Sequence, residues 1–153
     1  MAATLEDNIG YHFREQTLLT RALTRRAFAN EERQQGRHHE DQEVLCTLGD
    51  AVLKAVFVEL MIRAHYPTPD AITQEKKNLE REESLADVAS QMEVGPSIRF
   101  NAGEIKQGAE KEPYVLAETL EAILGAIYLD GGFGAARETV IRWFSHNIKP
   151  YGG

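Results

Sequence analysis

The sequence has little of what marks secreted or membrane proteins. Its 153 residues contain one cysteine, Cys46, which excludes an intrachain disulfide framework and fits a reducing compartment. No run of about 18 uninterrupted apolar residues occurs, so we expect no membrane span. The first residues are acidic and short of apolar side chains, unlike a secretory signal or an Arg-rich transit peptide. We therefore predict an intracellular, cytoplasmic protein without a membrane partner.

Positive charge is also scarce. The chain has 17 Lys and Arg residues against 24 Asp and Glu, which gives a formal net charge of −7. Proteins that bind nucleic acid through general electrostatics usually carry an excess of basic residues. The composition therefore argues mildly against a nucleic-acid partner, unless a metal ion, local basic patches or a partner chain supplies the positive charge.

Alternating, strand-like patterns are scarce, and apolar residues recur instead at the three- and four-residue spacing of helices. The helical patterns cover residues 18–28, 43–66, 73–79, 84–92, 113–129 and 135–148. The length suits one compact core. We predict an all-α helical bundle of seven or eight helices, forming a single domain over residues 1–153 with its core over about residues 8–148.

Two of the predicted helices carry acidic residues within apolar runs. In the longer one, Glu43, Cys46 and Asp50 stand at i, i+3 and i+7 and share one face. In the later one, Glu118 and Glu121 stand one turn apart. If the two helices pack antiparallel across the core, Asp50 converges with Glu118 and Glu121.

Carboxylates on the apolar side of a helix lose hydration and need partners. A shared divalent cation would be a partner for several of them at once. Oxygen-only ligands favour Mg²⁺, with Mn²⁺ as its substitute, and such a site suits phosphodiester hydrolysis. The alternative is an ordinary solvated acidic face, which the apolar neighbours on both helices make less favourable.

Two other candidates for chemistry have simpler explanations. A cysteine flanked by Leu45 and Leu48 is more often a buried, inert thiol than a nucleophile, and no histidine stands near Cys46 in a pairing motif. His38 and His39 lie in a polar stretch, which indicates a loop more than a transition-metal site.

Longer motifs resemble those of the ribonuclease III family. Residues 42–53 read QEVLCTLGDAVL and are similar to the family pattern NERLEFLGDAVL. Residues 117–130 read AETLEAILGAIYLD and are similar to the family pattern ADTFEALIGAIYLD. Between them, residues 101–108 resemble the family's Gly-Glu-containing connection. The similarity follows family order over about residues 8–148, so the chain resembles the catalytic endonuclease domain of that family, which is an all-α bundle.

The resemblance assigns a role to each acid. The family's essential Asp after Leu-Gly falls on Asp50, and its essential Glu of the later helix falls on Glu121. Both are the expected catalytic and metal-binding residues. A metal-ligating Asp falls on Glu118, which keeps the charge on a longer arm, and the first signature Glu falls on Glu43, a supporting acid near the site. The second signature Glu, also a metal ligand in the family, falls on Cys46.

Besides Glu118, the chain departs from the family pattern at Cys46, at Thr47, where the family usually has Phe, and at Arg25. Cys46 is a degenerate ligand position, because a thiol is a poor ligand for Mg²⁺ and its ordinary pKa of about 8.5 leaves it mostly neutral. The site thereby loses one formal negative charge. Arg25 stands where the family's Leu-Thr-His-Arg motif has its histidine.

The resemblance implies a hydrolase: an Mg²⁺-dependent endonuclease that processes double-stranded RNA as a homodimer, each site cutting one strand. A-form RNA is read mainly by shape, phosphates and 2′-hydroxyls. Family members commonly carry a separate double-stranded-RNA-binding domain after the catalytic one. The sequence ends soon after residue 148, so we expect a minimal family member or a fragment.

Two hypotheses follow. In the first, the site tolerates Cys46 and Glu118 and cuts RNA. In the second, the chain is a catalytically degenerate member that keeps an RNA-binding or assembly role. Three of the four family ligand positions keep a carboxylate, which favours the first. The lost acid, the acidic net charge and the lack of an RNA-binding domain favour the second.

An apolar surface on the longest predicted helix also has two interpretations. Its residues are Val44, Leu45, Thr47, Leu48 and Ala51. They are either a dimer interface, as the resemblance implies, or part of the core, and helical periodicity does not separate the two.

Overall fold

A computed structural model describes residues 3–152 of the chain. This range contains eight α-helices and two short 3₁₀ helices, and its only strand-like pairing is an isolated bridge between Thr24 and Arg99. The α-helices are α1 (Leu5–Ile9), α2 (Gln16–Ala22), α3 (Arg26–Gln34), α4 (Glu43–Arg63), α5 (Pro69–Leu79), α6 (Glu82–Gln91), α7 (Ala102–Lys106) and α8 (Pro113–Phe144). The all-α prediction is confirmed. None of these helices is long and apolar enough to cross a membrane.

The two longest helices, α4 and α8, cross at the centre of the bundle. A Cβ atom added at Gly49 would overlap the backbone oxygen of Glu121, and one added at Gly125 would overlap the backbone oxygen of Leu45. The later position on α4 meets the earlier position on α8, so the helices run antiparallel. Because glycine stands at both contacts, the two backbones touch, and Asp50 is carried up to Glu121.

The crossing rests on a continuous apolar core. Phe57 of α4 and Phe144 of α8 are fully buried and pack edge to face, with ring centroids 4.9 Å apart. Helices α2 and α6 pack on α8, and α5 packs on α4. The indole of Trp143 donates to the backbone oxygen of Ile9 at 2.9 Å, which ties α1 to the end of α8. The two central helices are therefore fixed on several sides.

Helix α8 is broken near its middle, where the sequence predicts a helix end. Gly132 has φ 89° and ψ 174°, a conformation that favours glycine. Just before the break, the carboxylate of Asp130 accepts from the hydroxyl of Tyr11 at 2.6 Å and from the backbone N–H groups of Arg14 and Glu15 at 3.0 Å each. Asp130 thus fastens the N-terminal segment to α8.

The helical pattern over residues 18–28 is divided into two helices, which differs from a continuous element. Helix α2 ends at Ala22 and α3 begins at Arg26. Between them, the backbone N–H of Arg99 donates to Leu23 O at 2.7 Å, and the N–H of Arg25 donates to Arg99 O at 3.2 Å. This distant pairing turns the chain and directs Arg25 toward α8.

Candidate active site

The side chains of Asp50 and Glu121 meet where α4 and α8 cross. Gly49, which precedes Asp50, lies against the backbone of Glu121, and the two carboxyl groups are within hydrogen-bonding reach of each other. We call them the Asp50–Glu121 pair. The predicted convergence of these two acids is therefore a feature of the fold.

The electrostatics of the Asp50–Glu121 pair are unbalanced. Burial, followed by the hydrogen bond to Asp50 and the repulsion from its charge, raises the pKa of Glu121 to about 8. Lys54 opposes this effect, and its Nζ lies 2.9 Å from Asp50 Oδ2 with both side chains about half exposed. One lysine does not neutralise two carboxylates, so the pair retains either a proton or an attraction for a further cation.

Glu118, the third expected metal ligand, is bound to an arginine. Arg25 Nη1 donates to Glu118 Oε2 at 2.7 Å, while the Glu118 side chain is 50% exposed. The charge of Glu118 is near enough to Glu121 to contribute to its raised pKa. The structure therefore places Glu118 beside the Asp50–Glu121 pair, but with its carboxylate turned to a protein cation.

Cys46 is a neutral thiol in this setting. Burial, then the charges of Glu118 and Glu121, raise the pKa of Cys46 to about 12. Its Sγ donates to the backbone oxygen of Glu118 at 3.1 Å. A protonated thiol that donates a hydrogen bond to a carbonyl oxygen is neither a nucleophile nor a ligand for a hard cation. This agrees with the inert thiol that the sequence favours.

Glu43 lies farther out, at a cavity of about 500 Å³ beside α3 and α4. Glu43 Oε2 is 3.5 Å from Arg26 Nη1, and both side chains are more than half exposed, so this ion pair contributes little. The cavity is lined by Arg25, Arg26, Ala27, Asn30, Gln42, Glu43, Cys46, Glu104 and Glu118. It thus adjoins Glu118 and Cys46, whereas Asp50 and Glu121 are not part of its lining.

The donor set can be compared with what a divalent metal requires. Within residues 3–152, no three carboxylate, thiol or imidazole groups are gathered closely enough to hold a metal ion together. Asp50 and Glu121 nevertheless provide hard oxygen donors whose mutual repulsion a cation would relieve, and this fits Mg²⁺ or Mn²⁺. Cys46 does not fit that role, and Glu118 fits it only when released from Arg25.

Three polar residues of this region were not among the predicted site residues. The Arg25 guanidinium, 14% exposed, also contacts Glu104 Oε2 at 3.2 Å and Gln42 Oε1 at 3.1 Å. Gln42 is buried and its amide donates to Ala22 O at 2.7 Å. The signals for Arg25 and Glu104 were present, because one replaces a family histidine and the other lies in the Gly-Glu connection. Gln42 opens the first matched motif, where the family pattern has Asn, but helical spacing alone does not mark it as a site residue.

The sequence belongs to a known family. It matches the Ribonuclease-III-like family over residues 15–148, so the chain is a member of the ribonuclease III family. It is 37% identical to Ribonuclease 3 of Bordetella avium over 139 residues, which covers 90% of this chain and 52% of the relative. It is also 37% identical to Ribonuclease 3 of Pseudomonas paraeruginosa over 147 residues, covering 95% and 60%. The chain therefore spans between half and three fifths of these curated relatives.

The fold also matches solved structures of nuclease domains. A nuclease domain of ribonuclease III from Campylobacter jejuni superposes with a TM-score of 0.84 at 30% sequence identity, covering 94% of this chain and 96% of that one. That structure is described as flexible in the region involved in dimer formation. A second structure of the same Campylobacter domain gives a TM-score of 0.82 at 31% identity, covering 94% and 93%. The predicted ribonuclease III nuclease-domain bundle is confirmed.

Proposed function

We propose that the chain is the catalytic part of a metal-dependent endonuclease that hydrolyses phosphodiester bonds of double-stranded RNA. The observation that carries the proposal is the meeting of Asp50 and Glu121 at the glycine contacts of α4 and α8. Membership of the ribonuclease III family supports the same chemistry. The alternative of a degenerate member without cleavage has no support among the relatives above, which are all named Ribonuclease 3.

Asp50 and Glu121 would hold the metal, Mg²⁺ or Mn²⁺. When bound, such an ion polarises a phosphoryl oxygen and stabilises charge on the leaving oxygen. Glu121 must release its proton to act as a ligand, because its pKa is raised to about 8. Lys54 donates to Oδ2 of Asp50 and fixes the orientation of that carboxylate. Glu43 and Cys46 flank the site without a direct ligand role.

A duplex cleavage assay tests this proposal. The purified protein is incubated with end-labelled, fully paired RNA and either Mg²⁺ or Mn²⁺, and the products are resolved under denaturing conditions. We expect cleavage of the duplex, little cleavage of either strand alone, and loss of cleavage in Asp50→Ala and Glu121→Gln. Intact duplex at high enzyme and metal concentration, in a sample shown to be dimeric, would contradict the proposal.

We also propose that the active form is a homodimer, joined through the outer face of α4. Val44 is 63% exposed and Thr47 and Ala51 are exposed, whereas Leu45 is 2% exposed and belongs to the core. The apolar surface considered above is thus divided between interface candidates and core. The dimer formation ascribed to the Campylobacter nuclease domain supports this assembly.

Sedimentation velocity tests the homodimer. We expect the wild-type chain to sediment as a dimer and Val44→Glu to sediment as a folded monomer, because a carboxylate in an apolar interface loses hydration. Ile62→Glu is the matched control, since Ile62 is 59% exposed but lies about five turns, roughly 27 Å, along α4 from Val44. A wild-type monomer, or a dimer unaffected by Val44→Glu, would contradict this arrangement.

A further inference from the structure

Arg25 is the one site residue whose contacts join three separate parts of the chain. It follows α2, and its guanidinium contacts Gln42 before α4, Glu104 on α7 and Glu118 on α8, at 3.1, 3.2 and 2.7 Å respectively. Only 14% of the side chain is exposed. A planar guanidinium fixed at several acceptors in a mostly buried position is held firmly, because removing any partner leaves buried charge unpaired.

Cys46 and Arg25, two of the departures from the family pattern, both contact Glu118. Cys46 donates to the backbone oxygen of Glu118, and Arg25 donates to its side-chain carboxylate. One departure removes a negative charge from the site and the other adds a positive charge beside it. Their common effect is to lower the negative charge that a divalent cation would experience near Glu118.

The opposite charges favour retention of the Arg25–Glu118 contact. Burial alone would lower the pKa of Arg25, but its hydrogen bonds to Glu118 and Glu104 outweigh this effect and raise it, so the guanidinium remains charged. A metal ion that recruited Glu118 would have to replace a charge-assisted hydrogen bond of 2.7 Å and leave Arg25 with fewer acceptors. At Asp50 the ion would compete instead with Lys54, whose side chain is about half exposed, so that exchange costs less.

We propose that Arg25 is a resident counter-cation that keeps Glu118 out of the metal ligand set and thereby weakens the site's affinity for divalent cations. Arg25 is in this sense a specificity-determining residue, and Glu118 is its anchor. The inference rests on the proposed function, because it assumes that Asp50 and Glu121 bind a divalent metal.

Mn²⁺ binding, measured as the loss of the free Mn²⁺ paramagnetic resonance signal, tests the inference without RNA or cleavage. We expect Arg25→Gln to bind Mn²⁺ about tenfold more tightly than the wild type, because the released Glu118 becomes a ligand. Glu118→Gln in the wild-type background should change the affinity by about threefold or less. The double variant Arg25→Gln/Glu118→Gln should lose the gain, which shows that the gain passes through Glu118.

Arg26→Gln is the matched control, since Arg26 lines the same cavity but, within residues 3–152, forms an ion pair only with Glu43, at 3.5 Å. It should leave the Mn²⁺ affinity within about twofold of the wild type. Unfolding curves of each variant identify any that fails to fold, and Glu118→Gln, altered at a half-exposed side chain, keeps the test available if Arg25→Gln does not fold.

Three results would overturn the inference. They are an Arg25→Gln affinity equal to wild type, a gain that persists in the double variant, or a large loss of Mn²⁺ binding in Glu118→Gln. Each is separable from the proposed function, because a wild-type chain that cuts duplex RNA while showing one of these results remains a nuclease. Conversely, a tighter-binding Arg25→Gln chain beside a wild type that does not cut would support the inference and contradict the nuclease.

Discussion

Asp50, Glu121 and Glu118 form an acidic cluster near the crossing of α4 and α8. Its two ends, the Asp50–Glu121 pair and Glu118, differ in how far the protein neutralises their charge. At one end, the Asp50–Glu121 pair shares a single half-exposed lysine, and the pKa of Glu121 is raised to about 8. At the other end, Glu118 is matched by Arg25, which is mostly buried and also contacts Glu104. At the Asp50–Glu121 pair, negative charge remains uncompensated. At Glu118, the protein supplies its own counter-charge.

This difference shows that counting carboxylates does not define a metal site. Three acids lie close together, but only Glu118 faces a mostly buried cation, whereas Asp50 faces a half-exposed lysine. A cation is attracted where the protein leaves negative charge uncompensated, and it must compete where the protein has supplied its own counter-charge. The glycine contacts create the first condition by forcing two carboxylates together, and the turn before α3 creates the second by delivering Arg25.

The largest expected effect is the loss of cleavage when Asp50 is removed. Asp50→Ala should lower the rate of duplex cleavage by about a thousandfold or more, because a metal contributes several kcal/mol to the transition state. Asp87→Ala is the matched control, since Asp87 is an exposed acid on α6. Initial rates on labelled duplex RNA measure both. A drop of similar size in the two variants would show that the loss is not specific to the Asp50–Glu121 pair.

The glycine contact can be broken directly. Gly49→Ala should destabilise the fold by about 3 kcal/mol, because its Cβ would overlap the backbone oxygen of Glu121 and push α4 from α8. Gly134→Ala is the control, since no atom lies within 4 Å of a Cβ there and alanine favours a helix. Urea unfolding gives both values. Equal stability of the two variants would show that the helices do not approach as described.

The pH dependence of metal binding reports the protonation of Glu121. Its raised pKa means that the metal-free folded state holds a proton that the unfolded state, with an ordinary pKa of 4.5, releases. This contribution to stability is fully present below about pH 4.5 and is lost as the pH rises through about 8.

A bound cation must displace that proton. The apparent Mn²⁺ affinity should therefore rise by about tenfold per pH unit and level off near pH 8. Because Lys54 lowers the pKa of Glu121, Lys54→Met should move the plateau to higher pH. Titration calorimetry over a pH series measures both curves. An affinity independent of pH below 8 would contradict the raised pKa.

The smallest expected effect concerns Cys46. Cys46→Ser should leave the Mn²⁺ affinity within about twofold of wild type. The thiol is neutral, and its S–H donates a hydrogen bond to the backbone oxygen of Glu118. The same titrations, with the wild type run in parallel, measure the change. A loss of Mn²⁺ affinity of tenfold or more would show that the sulfur takes part in metal binding. The region around Glu118 would then bind the metal as the Asp50–Glu121 pair does.

The sequence predicted the architecture because its strongest signals are periodic and local. Apolar spacing located α4 and both parts of α8, and the gap between the patterns over residues 113–129 and 135–148 contains the break at Gly132. The meeting of Asp50 and Glu121 was also predictable, because small residues beside both acids allow close helix packing. One boundary was wrong: the helical pattern begins at residue 84, whereas α6 begins at Glu82, and the hydroxyl of Ser84 donates to Asn78 O at 3.0 Å.

The polar contacts of the site could not be predicted from local sequence patterns. Arg25 and Glu118 are 93 residues apart in the chain, and Arg25 reaches α8 only because Arg99 turns the backbone before α3. Helical spacing says which residues share a face, but it does not say which distant cation a carboxylate accepts. For that reason Glu118 was predicted as a metal ligand, and its partner was noted only as a departure from the family motif.

The central claim is that Asp50 and Glu121 together bind one divalent cation. Anomalous diffraction from crystals of the wild-type chain grown with Mn²⁺ tests it most directly. The account predicts a peak between the carboxylates of Asp50 and Glu121, with Glu118 still bound to Arg25. A peak elsewhere in the molecule, or none at Mn²⁺ concentrations that support cleavage, would contradict it.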